Sequence, residues 1–288
     1  MIEVLRTGPL ATVQDLGRPG LAHLGVPCSG AADGRALRLG NRLVGNPEGG
    51  AAVEFTLGGG AVRFEEAAWV AVTGAPVPFT VNGRAHGMNA PCHVPAGAVL
   101  EMGMPTRGLR SYLAVRGGVA VEPVLGSRST DVLSGLGPKP LSAGDRLPVG
   151  SSAGLDDIEV DIAPSPDLPE VPVLRILPGP RDDWFTPESL TTLTTRLYEV
   201  SSASNRVGVR LDGPALTRAR EGELSSEGMV TGALQVPPNG LPILFLTDHP
   251  TTGGYPVVAV VACCDIPVAA QLRPGQRVRF RAGTAVAA

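Results

Sequence analysis

The chain has 288 residues, of which 43% are hydrophobic and 18% are charged, and its formal net charge is −3. Its 38 glycines and 28 prolines exclude a helical bundle or a coiled coil, and its apolar content excludes a disordered chain. The nearly balanced charge gives no reason to expect nucleic acid or an anionic membrane as a partner. At about 150 residues per domain, the length fits one large or two medium-sized domains.

In the first half of the chain, the earliest clear element is a helix. Asp33 is expected to cap it, and the apolar face continues to Val44, where Gly45 stops the helix. Two strands are predicted next, over residues 68–73 and 109–116. The second of these is rich in strand formers and is followed by a Gly-Gly turn. Short strands joined by tight turns therefore dominate this half.

The second half of the chain follows a segment with linker composition, residues 150–172, which is rich in Pro, Ser, Asp and Gly. One helix is predicted to start at Thr186, with a leucine stripe that extends to Leu197, and another short helix covers residues 268–272. Strands are predicted over residues 171–177, 243–246, 257–262 and 276–281. The chain is thus predicted to be mainly β with a few short helices.

A weak internal repeat suggests duplication. Residues 4–9 and 173–180 share a Val-Leu-Arg pattern followed by Gly-Pro, which favours two similar β lobes, residues 1–165 and 171–288. Chance similarity between short strings is the alternative.

The absence of certain residues and motifs from the sequence argues against several classes of protein. Lys139 is its only lysine and lies in Gly-Pro-Lys-Pro, which fits neither a Gly-x-x-x-x-Gly-Lys phosphate loop nor a biotin carrier. No metal-ligand or Gly-x-Ser-x-Gly motif occurs. The vicinal pair Cys263 and Cys264 lies in an apolar run and is expected to be buried. Because the chain starts without a targeting pattern and its longest apolar run has eight residues, we expect a cytoplasmic protein.

A first candidate binding segment spans residues 12–33. It brings polar side chains into a loop rich in Gly and Pro that leads into a helix start, and such loops direct N–H groups and side chains at anions. The candidate site residues are Gln14, Asp15, Arg18, Ser29 and Asp33. The alternative is that Asp33 is only a helix cap and that Arg18 is solvated.

A second candidate segment, residues 201–210, contains Arg206 and Arg210. On a strand, this even spacing would place both guanidinium groups on one face, as a clamp for carboxylate or phosphate. Two arginines exposed to water are the alternative.

A third candidate segment runs from Asp248 to Pro256. Its acid is a possible general base, its hydroxyls and glycines are a possible anion-binding nest, and its tyrosine is a possible stacking group. The candidate residues are Asp248, Thr251, Thr252, Gly253, Gly254 and Tyr255, with Glu227, Gln235 and Asn239 on nearby turns. A plain hairpin loop is the alternative.

Read together, eight ordered strings resemble one known family, that of allophanate hydrolase subunit 2 or biotin-dependent carboxyltransferases. The strings are residues 12–20, 25–33, 110–115, 125–130, 204–208, 226–228, 251–256 and 271–275. The resemblance runs from about residue 3 to 281 and implies two cyclophilin-like β-barrel lobes in tandem, with a ligand cleft between them. The sequence departs from the family at His249-Pro250, where Arg-Gln is common, and at Ala32, where Met is frequent. The first departure bears on substrate identity more than on fold.

The resemblance implies one component of an ATP-dependent 5-oxoprolinase, which opens 5-oxo-L-proline to L-glutamate. It implies ATP and Mg²⁺ as cofactors, with ATP bound by this chain or its neighbour. It also implies two partners, the A-type and the B-type 5-oxoprolinase subunits, of which the B-type is similar to allophanate hydrolase subunit 1. The resemblance implies that Arg18, Arg206 and Arg210 bind phosphate or carboxylate. It implies that Asp15, Asp33 and Asp248 position water or a metal ion, and that residues 251–255 bind the lactam.

Two alternatives come with the same resemblance. One is a carboxyltransferase that moves carboxylate from biotin on a separate carrier to urea or another amide. The other is a non-catalytic protein that sequesters a kinase inhibitor.

Overall fold

The computed structural model describes residues 1–164 and 167–283 of the chain. The chain divides into two compact units, the first comprising Met1–Arg18 and Ser29–Asp167 and the second comprising Pro19–Cys28 and Leu168–Ala288. The sequence analysis predicted a division near residue 165, but it did not predict that Pro19–Cys28 belongs to the second unit.

The described strands of the first unit form two antiparallel sheets around one core. In chain order they are β1 (Ile2–Thr7), β2 (Leu10–Gln14), β3 (Ala52–Thr56), β4 (Gly60–Phe64), β5 (Ala68–Gly74), β6 (Phe79–Val81), β7 (Arg84–His86), β8 (Cys92–Val94), β9 (Val99–Met102), β10 (Arg110–Val115) and β11 (Arg146–Leu147). The six-stranded sheet has the order β11-β1-β4-β9-β6-β7, and the five-stranded sheet has the order β2-β3-β10-β5-β8. Apolar side chains of both sheets, such as Val4, Leu100, Val53 and Leu113, share one buried cluster.

One helix, α1 (Gly34–Leu43), packs on β5 and β10 of the five-stranded sheet. It begins as predicted, because the Asp33 side chain accepts a hydrogen bond from the Ala36 N–H at 3.0 Å. Gly40 faces the sheet, and a Cβ atom there would lie 3.0 Å from the Ala114 Cβ, so glycine permits the close approach. The helix places the Asp33 end beside the strands that carry the first polar residues.

The described strands of the second unit form a closed barrel and a small ribbon. They are β12 (Val173–Pro178), β13 (Leu197–Val200), β14 (Gly208–Asp212), β15 (Glu227–Gly228), β16 (Ala233–Gln235), β17 (Ile243–Phe245), β18 (Thr252–Gly253), β19 (Val257–Val261) and β20 (Arg277–Ala282). The barrel order is β12-β19-β16-β17-β14-β13-β20, with β15 and β18 paired separately. The helices are α2 (Pro187–Thr195) and α3 (Ile266–Ala269), with short 3-10 turns at Ala22–Leu24, Asp182–Trp184 and Cys263–Asp265.

The predicted mainly β fold is confirmed, and all six predicted strands are present within two residues of their predicted bounds. Two predictions about helices are wrong. Leu197 lies in β13, because the chain becomes extended at Arg196 and α2 ends at Thr195. The last helix is Ile266–Ala269 and ends before residues 270–272.

The expectation that Cys263 and Cys264 are buried is also wrong, since both are exposed. Strand β19 ends at Val261, so the two cysteines lie in the following 3-10 turn instead of the sheet. Among the helices that the structure describes, none has the length and apolar character needed to cross a membrane.

Candidate functional site

Buried polar side chains in the first unit gather where β2 ends. Gln14 is the last residue of β2, and the loop segment that contains Ser129 and Thr130 lies against it. We call Gln14, Asp15, Arg18, Ser129, Thr130 and Asp131 the first polar cluster. Three of the predicted site residues therefore lie together, and Ser29 joins them by donating its hydroxyl to the Thr130 carbonyl at 3.1 Å.

The Asp15 carboxylate organises this cluster. Its Oδ1 accepts hydrogen bonds from the hydroxyls of Ser127 and Ser129, both at 2.6 Å, and from the Gly17 N–H at 2.8 Å. Its Oδ2 accepts from the Arg128 N–H at 2.6 Å. Because both oxygens are engaged, the geometry supports a role in holding the loop, while the predicted catalytic role of Asp15 stays a prediction.

Arg18 is 2% exposed, so the alternative of a solvated loop arginine is wrong. Its Nη2 donates to the Ser129 carbonyl at 2.6 Å, and its Nε donates to the Val124 carbonyl at 3.3 Å. Gln14 donates through Nε2 to the Thr130 carbonyl at 2.9 Å and to the Thr12 hydroxyl at 3.0 Å. Both long side chains are thus anchored to adjacent carbonyls of one loop.

A second buried network surrounds the start of α1. Beyond capping the helix, Asp33 donates its N–H to the Tyr112 hydroxyl at 2.8 Å, and that hydroxyl donates to Glu54 Oε2 at 2.7 Å. Arg110 lies 3.5 Å from Glu54 Oε1, and both side chains are buried. Burial, followed by the negative charge of Glu54, raises the pKa of Tyr112 well above its usual value.

Sequence reasoning missed Glu54, although the sequence holds a signal for it. It stands in the otherwise uncharged strand β3, Ala-Val-Glu-Phe-Thr, and a carboxylate buried in a strand needs a partner. Ser127 and Ser129 lie within one of the family strings, but nothing in that string marks them as hydrogen-bond donors to Asp15. Only the fold shows these contacts, because the residues are more than 100 positions from Asp15.

In the second unit, Arg206 and Asp248 form a buried ion pair with side chains 1% and 0% exposed. Arg206 Nε lies 3.0 Å from Asp248 Oδ2, and Nη2 lies 3.1 Å from Oδ1. Nη2 also donates to the Thr247 hydroxyl at 3.2 Å. This two-point geometry is the strongest arrangement available to an arginine and a carboxylate.

The predicted clamp of Arg206 and Arg210 on one strand face is wrong. Strand β14 begins at Gly208, so Arg206 precedes it and is buried, whereas Arg210 lies within the strand and is exposed. Asp248 instead supplies the partner of Arg206, 42 positions away.

The predicted anion-binding nest over residues 251–254 is also wrong. Thr252 and Gly253 form β18, which pairs with Glu227 and Gly228 of β15. A nest needs a left-handed residue, and among the described residues with positive φ neither Gly253 nor Gly254 occurs. The segment is an extended ribbon, and Tyr255 beside it is 46% exposed.

The remaining candidates have separate surroundings. Glu227 pairs with Arg181, whose hydrogen bonds lower the pKa of that carboxyl. Gln235 is buried and donates through Nε2 to the Tyr255 carbonyl at 3.2 Å. Asn239 accepts from the Leu241 N–H at 3.1 Å, which is an ordinary turn contact.

The structure therefore brings together Gln14, Asp15, Arg18 and Ser29 in one unit and Arg206 with Asp248 in the other. The predicted cleft between the two lobes stays a prediction. Within residues 1–164 and 167–283 there is no group of three His, Cys, Asp or Glu side chains that could hold a metal ion.

Comparisons with known proteins show which family this chain is similar to. A model of the carboxyltransferase domain, subdomain A and B, matches residues 24–282. The chain is 40% identical over 283 residues to the C subunit of 5-oxoprolinase from Escherichia coli (strain K12), covering 97% of this chain and 90% of that protein.

Two urea amidolyases are also similar. The chain is 34% identical over 301 residues to the urea amidolyase of Saccharomyces cerevisiae, covering 97% of this chain and 16% of that protein. The crystal structure of the K. lactis urea amidolyase superposes with a TM-score of 0.91 and 31% identity, over 98% of this chain and 19% of that one. The similarity thus extends to one part of much larger proteins.

Proposed function

The chain belongs to the family of carboxyltransferase domains with subdomains A and B, and we propose that it is the C-type component of a 5-oxoprolinase. The observation that carries this proposal is the similarity to the E. coli protein of that type over 97% of this chain and 90% of that protein. A relative that is named as one subunit of an enzyme favours action within a complex. The partners that we propose are 5-oxoprolinase subunits of the A and B types.

The proposed reaction opens 5-oxo-L-proline to L-glutamate and is coupled to ATP hydrolysis. A lactam is a poor electrophile, and its oxygen becomes a leaving group only after it is activated. ATP supplies that activation by providing a phosphoryl group. What the protein must contribute is orientation of the amide and hydrogen-bond donors for the charge that develops on its oxygen. The buried Arg18, with a guanidinium held by two backbone carbonyls, has the rigidity that such a donor requires.

We assign ATP binding to a partner protein of the complex. Lys139, the only lysine, is exposed and lies between two prolines, which does not fit a phosphate loop. This assignment keeps the present chain as the amide-binding component.

The test is reconstitution of the chain with its A-type and B-type partners. We expect ATP-dependent formation of glutamate from 5-oxo-L-proline, measured by mass spectrometry, together with release of phosphate. Arg18→Met is expected to reduce turnover at least about tenfold, the cost of one lost charged hydrogen bond in a transition state. Arg84→Met, an exposed arginine of the same unit, is the matched control. Absence of glutamate with all three proteins and ATP present would refute the proposal.

A second candidate function is transfer of carboxylate from biotin to urea or another amide. It is favoured by the 34% identity to urea amidolyase and by the TM-score of 0.91. The biotin would be attached to a separate carrier, since Lys139 does not fit a carrier lysine. Incorporation of labelled bicarbonate into urea, with a biotinylated carrier and without glutamate formation, would favour this function. The alternative that this chain acts as an antagonist of a kinase inhibitor stays a prediction.

A further inference from the structure

A cavity of about 490 Å³ lies in the first unit beside the start of β5. Its apolar wall is formed by Trp69 of β5 together with Pro91, Ile158 and Val160. Trp69 is 41% exposed, and its ring meets the ring of His93 edge-on with 5.3 Å between the centroids. Sites for small molecules have volumes of roughly 300–1,000 Å³ and mostly apolar walls that carry a few polar groups. This cavity, which we call the Trp69 cavity, has the size and the wall of such a site.

One side of the Trp69 cavity is an arch, residues 157–162, which is fixed at both ends. Just before the arch, the Asp156 carbonyl accepts a hydrogen bond from Arg116 Nη1 at 2.8 Å. Just after it, the Ala163 N–H donates to the Asn89 carbonyl at 2.8 Å. Between these points, the backbone of the arch forms no hydrogen bond with any other residue in the described part of the chain. The arch therefore belongs to no sheet, and its side chains are available to line the cavity.

The charged groups that line the Trp69 cavity are the carboxylates of Asp157 and Asp161 and the guanidinium of Arg116. Arg116 has a structural task, because its Nη1 also donates to the Val44 carbonyl at the end of α1, at 2.9 Å. Both carboxylates are exposed, and among the described residues neither has an ion-pair partner. The lining thus combines an excess of negative charge with an accessible indole ring, and both features attract a cation.

We propose that the Trp69 cavity binds a small organic cation with an apolar body, such as a protonated primary amine on a hydrocarbon group. The ammonium group pairs with the carboxylates of Asp157 and Asp161, and the hydrocarbon packs on Trp69 and its apolar neighbours. A neutral molecule would gain nothing from the two carboxylates, and an anion would be repelled by them. The inference does not rest on the proposed function, because the cavity shares no residue with the first polar cluster.

The experiment uses three probes of similar shape and different charge. They are phenethylamine, which is protonated at neutral pH, the neutral phenethyl alcohol and the anionic hydrocinnamate. Dissociation constants are measured by calorimetry on the full chain. We expect the amine to bind at least about fivefold more tightly than the alcohol, and hydrocinnamate to bind most weakly, because exposed carboxylates and an indole ring each contribute modestly. Added salt is expected to reduce this preference, since it screens exposed charges.

Substitutions test which groups cause the preference. Asp157→Asn combined with Asp161→Asn is expected to lower the preference for the amine over the alcohol to about twofold or less. Glu122→Gln, which changes an exposed carboxylate of the same unit outside the cavity, is the matched control and should leave the preference unchanged. Trp69→Leu should weaken the binding of both probes, because the aromatic wall is lost. All four positions are exposed, so these variants are expected to fold.

Tryptophan fluorescence locates the bound amine. The chain has two tryptophans, Trp69 and Trp184, so Trp184→Phe leaves the emission of Trp69 alone, and saturation with the amine is expected to change it. Unchanged Trp69 emission at saturation would place the amine elsewhere and overturn the inference.

Three results of the calorimetry would overturn the inference as well. The first is equal affinity for the amine and the alcohol, and the second is failure of the amine to bind below about 10 mM. The third is a loss of preference in Glu122→Gln as large as in the double variant, since the attraction would then come from the net charge of the chain and not from the cavity.

Discussion

Removal of the negative charge from the buried Arg206–Asp248 pair is expected to destabilise the chain strongly. Asp248→Asn preserves the shape of the side chain but leaves the Arg206 guanidinium buried without its carboxylate. Both members are almost inaccessible, with side chains 1% and 0% exposed, and they meet at 3.0 and 3.1 Å. Breaking such a pair costs about 3–5 kcal/mol. A cost of about 3 kcal/mol lowers the ratio of folded to unfolded protein by about two orders of magnitude.

The matched control is an exposed pair of the same residue types in the same unit. Arg220 and Asp183 lie 2.8 Å apart, but their side chains are 56% and 50% exposed. Because water screens both charges, Asp183→Asn is expected to cost less than about 1 kcal/mol. Urea denaturation followed by circular dichroism gives the free energy of unfolding for each variant.

A double variant tests whether burial is the cause. Replacement of both partners, Arg206→Met with Asp248→Leu, removes the unpaired charge and is expected to recover at least half of the loss seen in Asp248→Asn. The reasoning is refuted if Asp248→Asn costs no more than Asp183→Asn. It is equally refuted if the double variant is less stable than Asp248→Asn.

Three further predictions follow from other contacts. Tyr112→Phe removes the hydroxyl that joins Asp33 and Glu54 and is expected to cost about 1–3 kcal/mol of unfolding free energy. In the wild type, absorbance at 295 nm should show no ionisation of Tyr112 before unfolding, because burial raises its pKa well above 10. The hydrogen bond from Arg175 lowers the pKa of Asp265, so this pair stabilises the fold fully above the ordinary carboxyl pKa of about 3.9, and the contribution is lost as the pH falls through the lowered value. Arg175→Met should therefore weaken the decrease of unfolding free energy with falling pH in the acid range. An unchanged pH dependence there would contradict this. A thiol reagent should label the exposed Cys263 and Cys264 in the native chain but reach Cys92 only on unfolding, since Cys92 is buried and burial raises its pKa; native labelling of Cys92, detected by mass spectrometry, would contradict the assigned burial.

The local elements of this fold were readable from the sequence because they depend on neighbouring residues. Asp33 caps α1 through a residue only three positions away, and the alternating or β-branched segments became strands β5, β10, β17, β19 and β20 at nearly the predicted positions. The family strings likewise follow from residue identity alone, and the family model matches residues 24–282. Errors occurred at element ends, such as Leu197 and the two vicinal cysteines, where a single residue changes from one element to the next.

The partners of the polar side chains were decided only by tertiary structure. Asp15 accepts hydrogen bonds from the hydroxyls of Ser127 and Ser129, which are more than 100 positions away in the chain. Arg206 pairs with Asp248, which is 42 positions away. Spacing along a strand could not reveal this, because a buried charge takes its partner from whichever segment folding brings near it. The sequence alone thus determined where arginines and carboxylates occur. The tertiary structure decided that Arg206 pairs with Asp248, and that Arg18 bonds two backbone carbonyls while its Nη1 has no hydrogen-bond partner among the described residues.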